Sequence, residues 1–435
     1  MLAPFRVRGF RFQWGGDLAM SWAAEMEILI LGWYVLVESG SVATLALFAA
    51  LQYAGSLVSP LFGVAGDRLG YARLFWSTRA FYGLLAAIVL VMAWNDALSP
   101  PAVLIVASLA GMVRPSDMVM RYAVIARVLP ANQLMGGLGI ARITSDSARI
   151  AGALAGASTV AAFGMVWAYT AIVLLYTLSF LLTMAIEPRK RHSMRKEGAG
   201  AGTSTDANAA AGPTHQDGSV ALATGERPRS PLKDLRSAFA YVWGKPVLLG
   251  AFGLAFLVNL LAFPLFLGLL PYVARQQYGL DQEGLSTLAA SFAFGGLLGS
   301  FLVGSNRLPL GAARTMIVAA VVWFSADLLF AFNRNLGLGV ALLITAGLAS
   351  SVCLTPLAAV MLRGTDPAFR GRVMGMRMLA IWGLPLGLLC SGPLIEAHGF
   401  TLTALSYSVL GLALCLAIAL YWREHLWSTR AIANA

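Results

Sequence analysis

Gly111-Met-Val-Arg114-Pro-Ser-Asp117-Met-Val-Met-Arg121, continued by Arg142-Ile-Thr-Ser-Asp146-Ser-Ala-Arg149 and ending at Gly156, is the stretch that decides how this chain must fold. It is mostly apolar, yet it carries two arginine–aspartate–arginine triplets, spaced three then four in the first and four then three in the second. At roughly 100° per residue, each triplet covers about a 60° stripe on one side of a helix. Two neighbouring antiparallel helices would present these stripes as mirror images. A charge in the middle of a lipid-spanning helix costs about 2.5–3.5 kcal/mol on insertion scales, so such residues are either paired or functional. Two readings follow. Each aspartate neutralises its own arginines and holds two helices together, or the triplets line a substrate or coupling site.

The rest of the chain puts these charges in a membrane. Of its 435 residues 58% are hydrophobic and 12% charged, and the mean hydropathy is +0.74. Soluble domains carry about twice this charge. A bilayer helix takes about 20 residues, so the length accommodates about twelve spans. The net charge of +11 would suggest nucleic acid in a soluble protein. Here it reads as basic loops beside an anionic membrane face, with lipids rather than nucleic acid as partner. Cys353, Cys390 and Cys415 all fall in apolar segments and suggest neither a disulfide framework nor a metal site. His192, His215, His398 and His425 lie outside the predicted spans, so histidine is not expected to carry protons across. No HExxH, GxSxG or Walker A pattern is present, and neither an enzyme nor a cofactor is expected. No small-residue cleavage site follows a short apolar core at the start, so no cleaved signal peptide is expected.

Apolar runs predict spans at 14–37, 43–66, 74–94, 101–122, 136–160 and 163–186, then at 247–272, 284–304, 312–332, 337–361, 372–395 and 400–422. Arg6, Arg8, Arg11, Arg68, Arg73, Arg127, Arg307, Arg314, Arg363, Arg370 and Arg372 fall on alternate connections, while Glu38, Asp96, Asp281, Glu283 and Glu396 dominate the others. Positive-inside logic therefore places both termini in the cytoplasm of a multi-pass inner (plasma) membrane protein. Residues 187–231 are too rich in Gly, Ala, Ser, Thr and Pro to order themselves. Leu232 to Lys245 regains an amphipathic pattern and is expected to lie on the membrane surface. The expected organisation is a six-helix bundle over 1–186, a cytoplasmic linker over 187–246 and a second six-helix bundle over 247–435. The halves repeat: Gly111, Arg127 and Gly139 correspond at one offset to Gly347, Arg363 and Gly375. Two parallel six-span repeats are a transporter architecture.

Gly63-Val-Ala-Gly-Asp67-Arg68-Leu-Gly70-Tyr-Ala-Arg73 resembles the G-x-x-x-D-[RK]-x-G-x-x-[RK] signature of the major facilitator superfamily at every position. Glycines permit the tight turn, and Asp67 with the arginines would make a breakable cytoplasmic gate. The second-half copy has Asn306-Arg307 where the acid would stand. Trp14-Gly-Gly16, Ser21-Trp-Ala-Ala-Glu25, Leu31-Gly-Trp33 through Glu38-Ser-Gly-Ser41, and Arg370-Gly-Arg372-Val-Met-Gly are similar to the drug:proton antiporter-3 branch, which holds macrolide and enterobactin exporters. The resemblance covers both halves except the linker. It implies an all-α membrane protein of twelve transmembrane helices in two pseudo-repeats, alternating access, and proton-coupled export of a drug or siderophore. The Arg142/Asp146/Arg149 triplet departs from that branch and favours polar or charged cargo.

Mid-span charges nominate the working residues. Glu25 and Glu27 lie near the middle of the first span but point roughly 160° apart, so they are not expected to face one cavity. Glu25 matches the branch's acid and is the expected proton carrier. Glu27 then packs against another helix, or the two roles are reversed. Arg114 resembles the superfamily's arginine in the fourth span and is expected to hold the Glu25 carboxylate until anionic cargo competes for it. Asp146 is a second proton site or a structural neutraliser. Arg142 and Arg149 are expected to bind cargo oxyanions through their guanidinium forks, and Asp117 to balance Arg114 and Arg121. Arg79 and Asp327, on the third and ninth spans, are expected to pack or snorkel. Asn259 is a hydrogen-bonding ligand or interhelical glue. Pro264, Ser350, Ser351, Thr355 and Pro356 resemble cavity-lining positions. Phe256, Phe263, Phe266 and Trp382 stack on cargo or meet lipid, and Gly295, Gly296 and Gly299 permit close packing. The expected partners are a small-molecule substrate, protons and membrane lipids, with the chain working as a monomer. A lipid flippase, an uptake symporter and a non-transporting membrane sensor are the competing readings.

Overall fold

The computed structural model of the chain describes residues 3–57, 71–186, 237, 239–305, 310–366, 369, 373, 376–377 and 379–426. Among these residues there is no strand. Eight helical stretches are long and apolar enough to cross a membrane. Two of them, 136–184 and 383–421, contain a chain reversal and count as two spans each, and two shorter apolar helices bring the total to twelve. In chain order they are α1 (Arg8–Ser39), α2 (Val42–Leu51), α3 (Tyr71–Trp94), α4 (Pro100–Val128), α5 (131–163), α6 (165–184), α7 (Pro246–Gln277), α8 (Gln282–Gly304), α9 (Ala312–Phe332), α10 (Leu336–Arg363), α11 (383–398) and α12 (400–421). The inside-out pattern of a bilayer protein is plain. Leu84, Val91, Ile105, Leu174 and Leu329 are exposed, whereas Arg79, Asp17, Asp117 and Asp327 are buried. Lipid asks nothing polar of the outer surface, so the polar groups turn inward.

Local chemistry sets the ends of the helices. Gly40 closes α1 in the left-handed region (φ 64°), its N–H donating to the Leu36 carbonyl. Ser41 then caps α2, accepting from the Thr44 N–H at 3.2 Å. Asp281 and Asn335 cap α8 and α10 in the same way, each at 3.0 Å. The two reversals are made by Gly164 (φ 81°, ψ 177°) and Gly399 (φ 81°, ψ 163°), which join α5 to α6 and α11 to α12. This conformation is open to glycine alone among the ordinary residues. A Cβ at either position would meet nothing within 4 Å, so dihedral freedom is what the site requires. Gly164→Ala and Gly399→Ala are each expected to cost about 1–3 kcal/mol in thermal denaturation. Gly139→Ala, at an exposed helical glycine, is expected to be neutral or to stabilise by up to about 1 kcal/mol.

The pseudo-repeat is visible in the packing. A Cβ on Gly111 in α4 would overlap the Leu51 carbonyl of α2, and one on Gly347 in α10 would overlap the Phe292 carbonyl of α8. Corresponding glycines thus let corresponding helix pairs cross at backbone contact. Gly295 and Gly299 complete the second crossing against the Ile344 and Leu348 carbonyls.

α1 is wrapped by α5 and α6 and also touches α2 and α4. The two sets of helices meet through α8 against the 131–184 helices and through α2 against α11, the latter at the end away from the termini. There Gly392 of α11 meets Ala43 of α2, Gly268 of α7 meets Ala49, and Pro271 meets Gly32. The Glu396 carboxylate accepts from Ser41 Oγ at 2.8 Å and from the Ala43 N–H at 3.2 Å, sitting on the positive end of α2.

Only the last part of the expected surface helix is described, since residues 232–236 and 238 lie outside the described set. Val242 is buried with Leu248, Val373 and Met376, while Phe239 and Trp243 stack on each other and stay exposed. The Tyr241 ring stacks on Phe369 at 4.4 Å, its hydroxyl donates to Asp366 Oδ2 at 2.7 Å, and Lys245 Nζ lies 3.4 Å from the same oxygen. The Tyr241 hydroxyl and then the Lys245 ammonium hold the Asp366 carboxyl below the usual carboxylate range. This contact pins the end of the linker segment to the loop after α10.

Candidate functional site

A cavity of about 380 Å³ lies between the two sets of helices. Its walls differ in chemistry. From the first set come Glu25 and Glu27 of α1, Arg114, Asp117 and Arg121 of α4, and Arg149 of α5. From the second come Phe266, Leu270 and Pro271 of α7, Phe292 of α8 and Ile381 just before α11. Among the described residues, every charged side chain lining the cavity belongs to the first set.

Two of these, Asp117 and Arg121, also belong to a box of four charges that extends behind the wall to Asp17 and Arg79. Arg79 of α3 forms an ion pair with Asp17 of α1 and lies 3.7 Å from Asp117 Oδ1. Arg121 Nη2 lies 3.2 Å from Asp117 Oδ2, and its Nε lies 3.7 Å from Asp17 Oδ1. The Arg79 guanidinium also sits over the Phe75 ring at 4.2 Å and donates to Ser179 Oγ at 2.6 Å, which itself donates to the Gly16 carbonyl. Arg121 reaches Ser145 of α5 at 3.2 Å and Ser21 of α1 at 3.4 Å. Two aspartates and two arginines thus balance, and one network joins α1, α3, α4, α5 and α6. Asp117 serves Arg121 and Arg79, not the expected Arg114. Arg79 is fully buried and does not snorkel.

The second triplet divides. Arg142 Nε lies 3.0 Å from Asp146 Oδ2, and neither residue lines the cavity. Arg149 turns instead to α1, its Nε 3.5 Å from Glu25 Oε1. The expected Glu25–Arg114 pair is therefore replaced by Glu25–Arg149. The reason is the approach of α5, where Gly152 lets the backbone come against Glu25 and Trp22.

Glu25 and Glu27 both line the cavity, against the expectation from their angular separation. The angle is not at fault. The cavity borders α1 on two flanks, one carrying Ser21, Glu25 and Ile28 toward α5, the other carrying Met20, Glu27 and Leu31 toward α3 and α6. On the second flank Tyr176 donates to Glu27 Oε2 at 2.7 Å and stacks on Tyr82 with centroids 5.8 Å apart. Arg114 donates to Gln52 Oε1 at 3.3 Å.

Asn259 does not line the cavity. It sits in a widened turn of α7 (Val258–Ala262), donates to the Ala255 carbonyl at 2.8 Å and is buried against Gly383. Ser350 and Ser351 bond to the Gly347 and Gly296 carbonyls and act between or along helices. Asp327 is fully buried, and its carboxyl oxygens have no hydrogen-bond partner among the described residues. Of the expected gate motif, Gly63, Asp67, Arg68 and Gly70 lie outside the described residues, and Arg73 is exposed at the start of α3. Gln52, Tyr53, Tyr82 and Tyr176 line the cavity and had not been singled out. Their signal was faint, a single polar atom at the tip of one side chain inside an apolar run.

Comparison with known proteins gives concordant results. A family model described as Major Facilitator Superfamily matches residues 18–308. The chain is 26% identical over 399 residues to the multidrug efflux pump Tap of Mycobacterium tuberculosis and of Mycobacterium bovis, covering 88% of this chain and 86% of the relative. Among solved structures, it resembles an inward-facing bacterial homologue of the human lysosomal transporter Spinster (TM-score 0.70, 13% identity, 98% of each chain covered). It also resembles a D-xylose–proton symporter (TM-score 0.70, 12% identity, covering 94% of this chain and 96% of that one). The nucleoside transporter NupG aligns with TM-score 0.67 at 16% identity, over 94% of this chain and all of the other.

Proposed function

This chain belongs to the major facilitator superfamily, a multi-pass membrane transporter rather than an enzyme, and from that premise we propose that it exports a small polar or amphiphilic molecule, such as a drug or siderophore, in exchange for protons. The observation that carries the reading is the two-faced cavity, with acids and arginines on one wall and apolar side chains on the other. Charged groups at this depth are tolerated where they pair or line a water-filled space. The efflux activity named for the mycobacterial relative supports the outward direction.

In this reading Glu27 carries the proton. Glu25 is committed to Arg149, whereas Glu27 is bonded to the Tyr176 hydroxyl alone among the described residues. Arg114 and Arg149 contact cargo. Arg142, Asp146 and Asn259 act from outside the cavity, and the 63–73 motif serves as the cytoplasmic gate. The chain works as a monomer in the inner membrane, with two six-helix bundles, 1–186 and 247–435, rocking about the cavity and both termini in the cytoplasm. The segment ending at Lys245 rests on the lipid surface through Phe239 and Trp243. The test is reconstitution into liposomes under an imposed pH gradient. Accumulation of norfloxacin or ethidium above protein-free liposomes, collapsing with a protonophore, is expected. Gradient-independent fluxes for both compounds would sink the proposal.

A further inference from the structure

Six charged side chains line the cavity, and four of them are committed to one another or to the box behind the wall. Arg149 holds Glu25, and Arg121 holds Asp117. Glu27 and Arg114 are the two left with no counter-ion within 4.0 Å among the described residues. Each has one neutral partner, Tyr176 for Glu27 and Gln52 for Arg114. They are of opposite sign and within electrostatic reach of each other. They share the same aromatic surroundings, the stacked Tyr82 and Tyr176. Across the cavity stand Phe266, Phe292 and Ile381, with no charge among them.

We propose that Glu27 and Arg114 form a recognition site for zwitterions, the ammonium of the cargo on Glu27, its oxyanion on Arg114 and its apolar body against the second-half wall. This rests on the export reading above and narrows its cargo to amphiphilic zwitterions. A carboxylate meets the guanidinium through charge-assisted hydrogen bonds, and an ammonium meets Glu27 in the same way beside the Tyr176 hydroxyl. A purely cationic cargo leaves Arg114 facing a desolvated apolar group, and a purely anionic one does the same to Glu27. Either omission strands a charge. The arrangement also suits exchange, since an ammonium on Glu27 occupies the place a proton would take. The groups facing Glu27 are Tyr169 and Tyr176 from α6, Tyr82 from α3 and Arg114 from α4. Arg114 is thus the single cation among them.

The experiment is equilibrium binding to the purified full-length protein at pH 8, with two matched sets that differ in charge separation. The first is tryptophan, tryptamine and N-acetyltryptophan. The second is norfloxacin, its methyl ester and N-acetylnorfloxacin. In at least one set the zwitterion is expected to bind about tenfold more tightly than either singly charged analogue. Arg114→Gln is expected to erase its advantage over the cationic analogue, and Glu27→Gln its advantage over the N-acetyl form. Each variant retains the other preference, which a folding defect would not produce. Equal affinities within both sets, or no binding by any of the six compounds, overturns the site. Zwitterion-selective binding without gradient-driven flux would instead leave the site standing and sink the export reading.

Discussion

Replacing Glu27 by glutamine is expected to remove gradient-driven accumulation while leaving cargo exchange across the membrane intact. A pH difference of one unit is worth 1.36 kcal/mol per proton, so one-for-one exchange with the membrane potential clamped at zero should concentrate cargo about tenfold. With glutamine in place, no proton is carried on the return stroke and the ratio falls to about one. Tyr176 can still donate to the amide oxygen, so the cavity keeps its shape. Glu25→Gln is expected to behave differently. It frees Arg149 from its 3.5 Å partner and slows the cycle, but the tenfold ratio is retained. Internal and external cargo measured at steady state decide the matter. A collapsed ratio in Glu25→Gln with an intact one in Glu27→Gln would transfer the proton to Glu25.

The largest effect on stability is expected from Arg79→Met. Arg79 has no exposure at all, and Asp17 and Asp117, its partners, are nearly as buried. Methionine fills much of the same volume over Phe75 but leaves two carboxylates to share Arg121. Removing one member of a buried ion pair costs about 3–5 kcal/mol, because the charge left behind keeps its desolvation penalty without its partner. Thermal unfolding in detergent should show a loss of that order. Arg79→Met combined with Asp17→Asn removes one charge of each sign and is expected to recover more than half of it. Arg73→Met, an exposed residue on the same helix, should stay within about 0.5 kcal/mol of the unsubstituted protein. A small loss in Arg79→Met would mean that the box contributes little to folding.

Much of the architecture was legible in the residues themselves. Twelve spans follow from apolar length, and Gly111 and Gly347 signalled the repeat before their shared packing role was visible. Four of the six triplet residues, Arg114, Asp117, Arg121 and Arg149, line the cavity, but spacing along a helix reveals only partners on that helix. Arg121 with Asp117 and Arg142 with Asp146 do pair along their own helices, but the partners that tie the site together lie across helices. Asp117 meets Arg79 of α3, and Arg149 meets Glu25 of α1. Rotation of one helix about its axis relative to the next is set by packing at positions such as Gly152 and Gly156, which periodicity alone does not encode. Arg79 was expected to pack or snorkel, and nothing in the third span names its partners, Asp17 and Asp117 on other helices. The tyrosines were missed because one hydroxyl barely alters the hydropathy of a run. Asn259 was open between ligand and interhelical glue, and the structure shows its amide donating to the Ala255 carbonyl one turn back while it packs at Gly383.

The unequal walls of the cavity carry a consequence for how such a chain can change. Among the described residues the charged lining is confined to one half, and the facing wall from the other is apolar. Substitutions at Phe266, Phe292 or Ile381 can therefore retune which molecules are accepted while the ionic machinery stays untouched. A lineage under pressure from new toxins has a wall it can remodel freely, and an experimenter seeking altered selectivity should begin there.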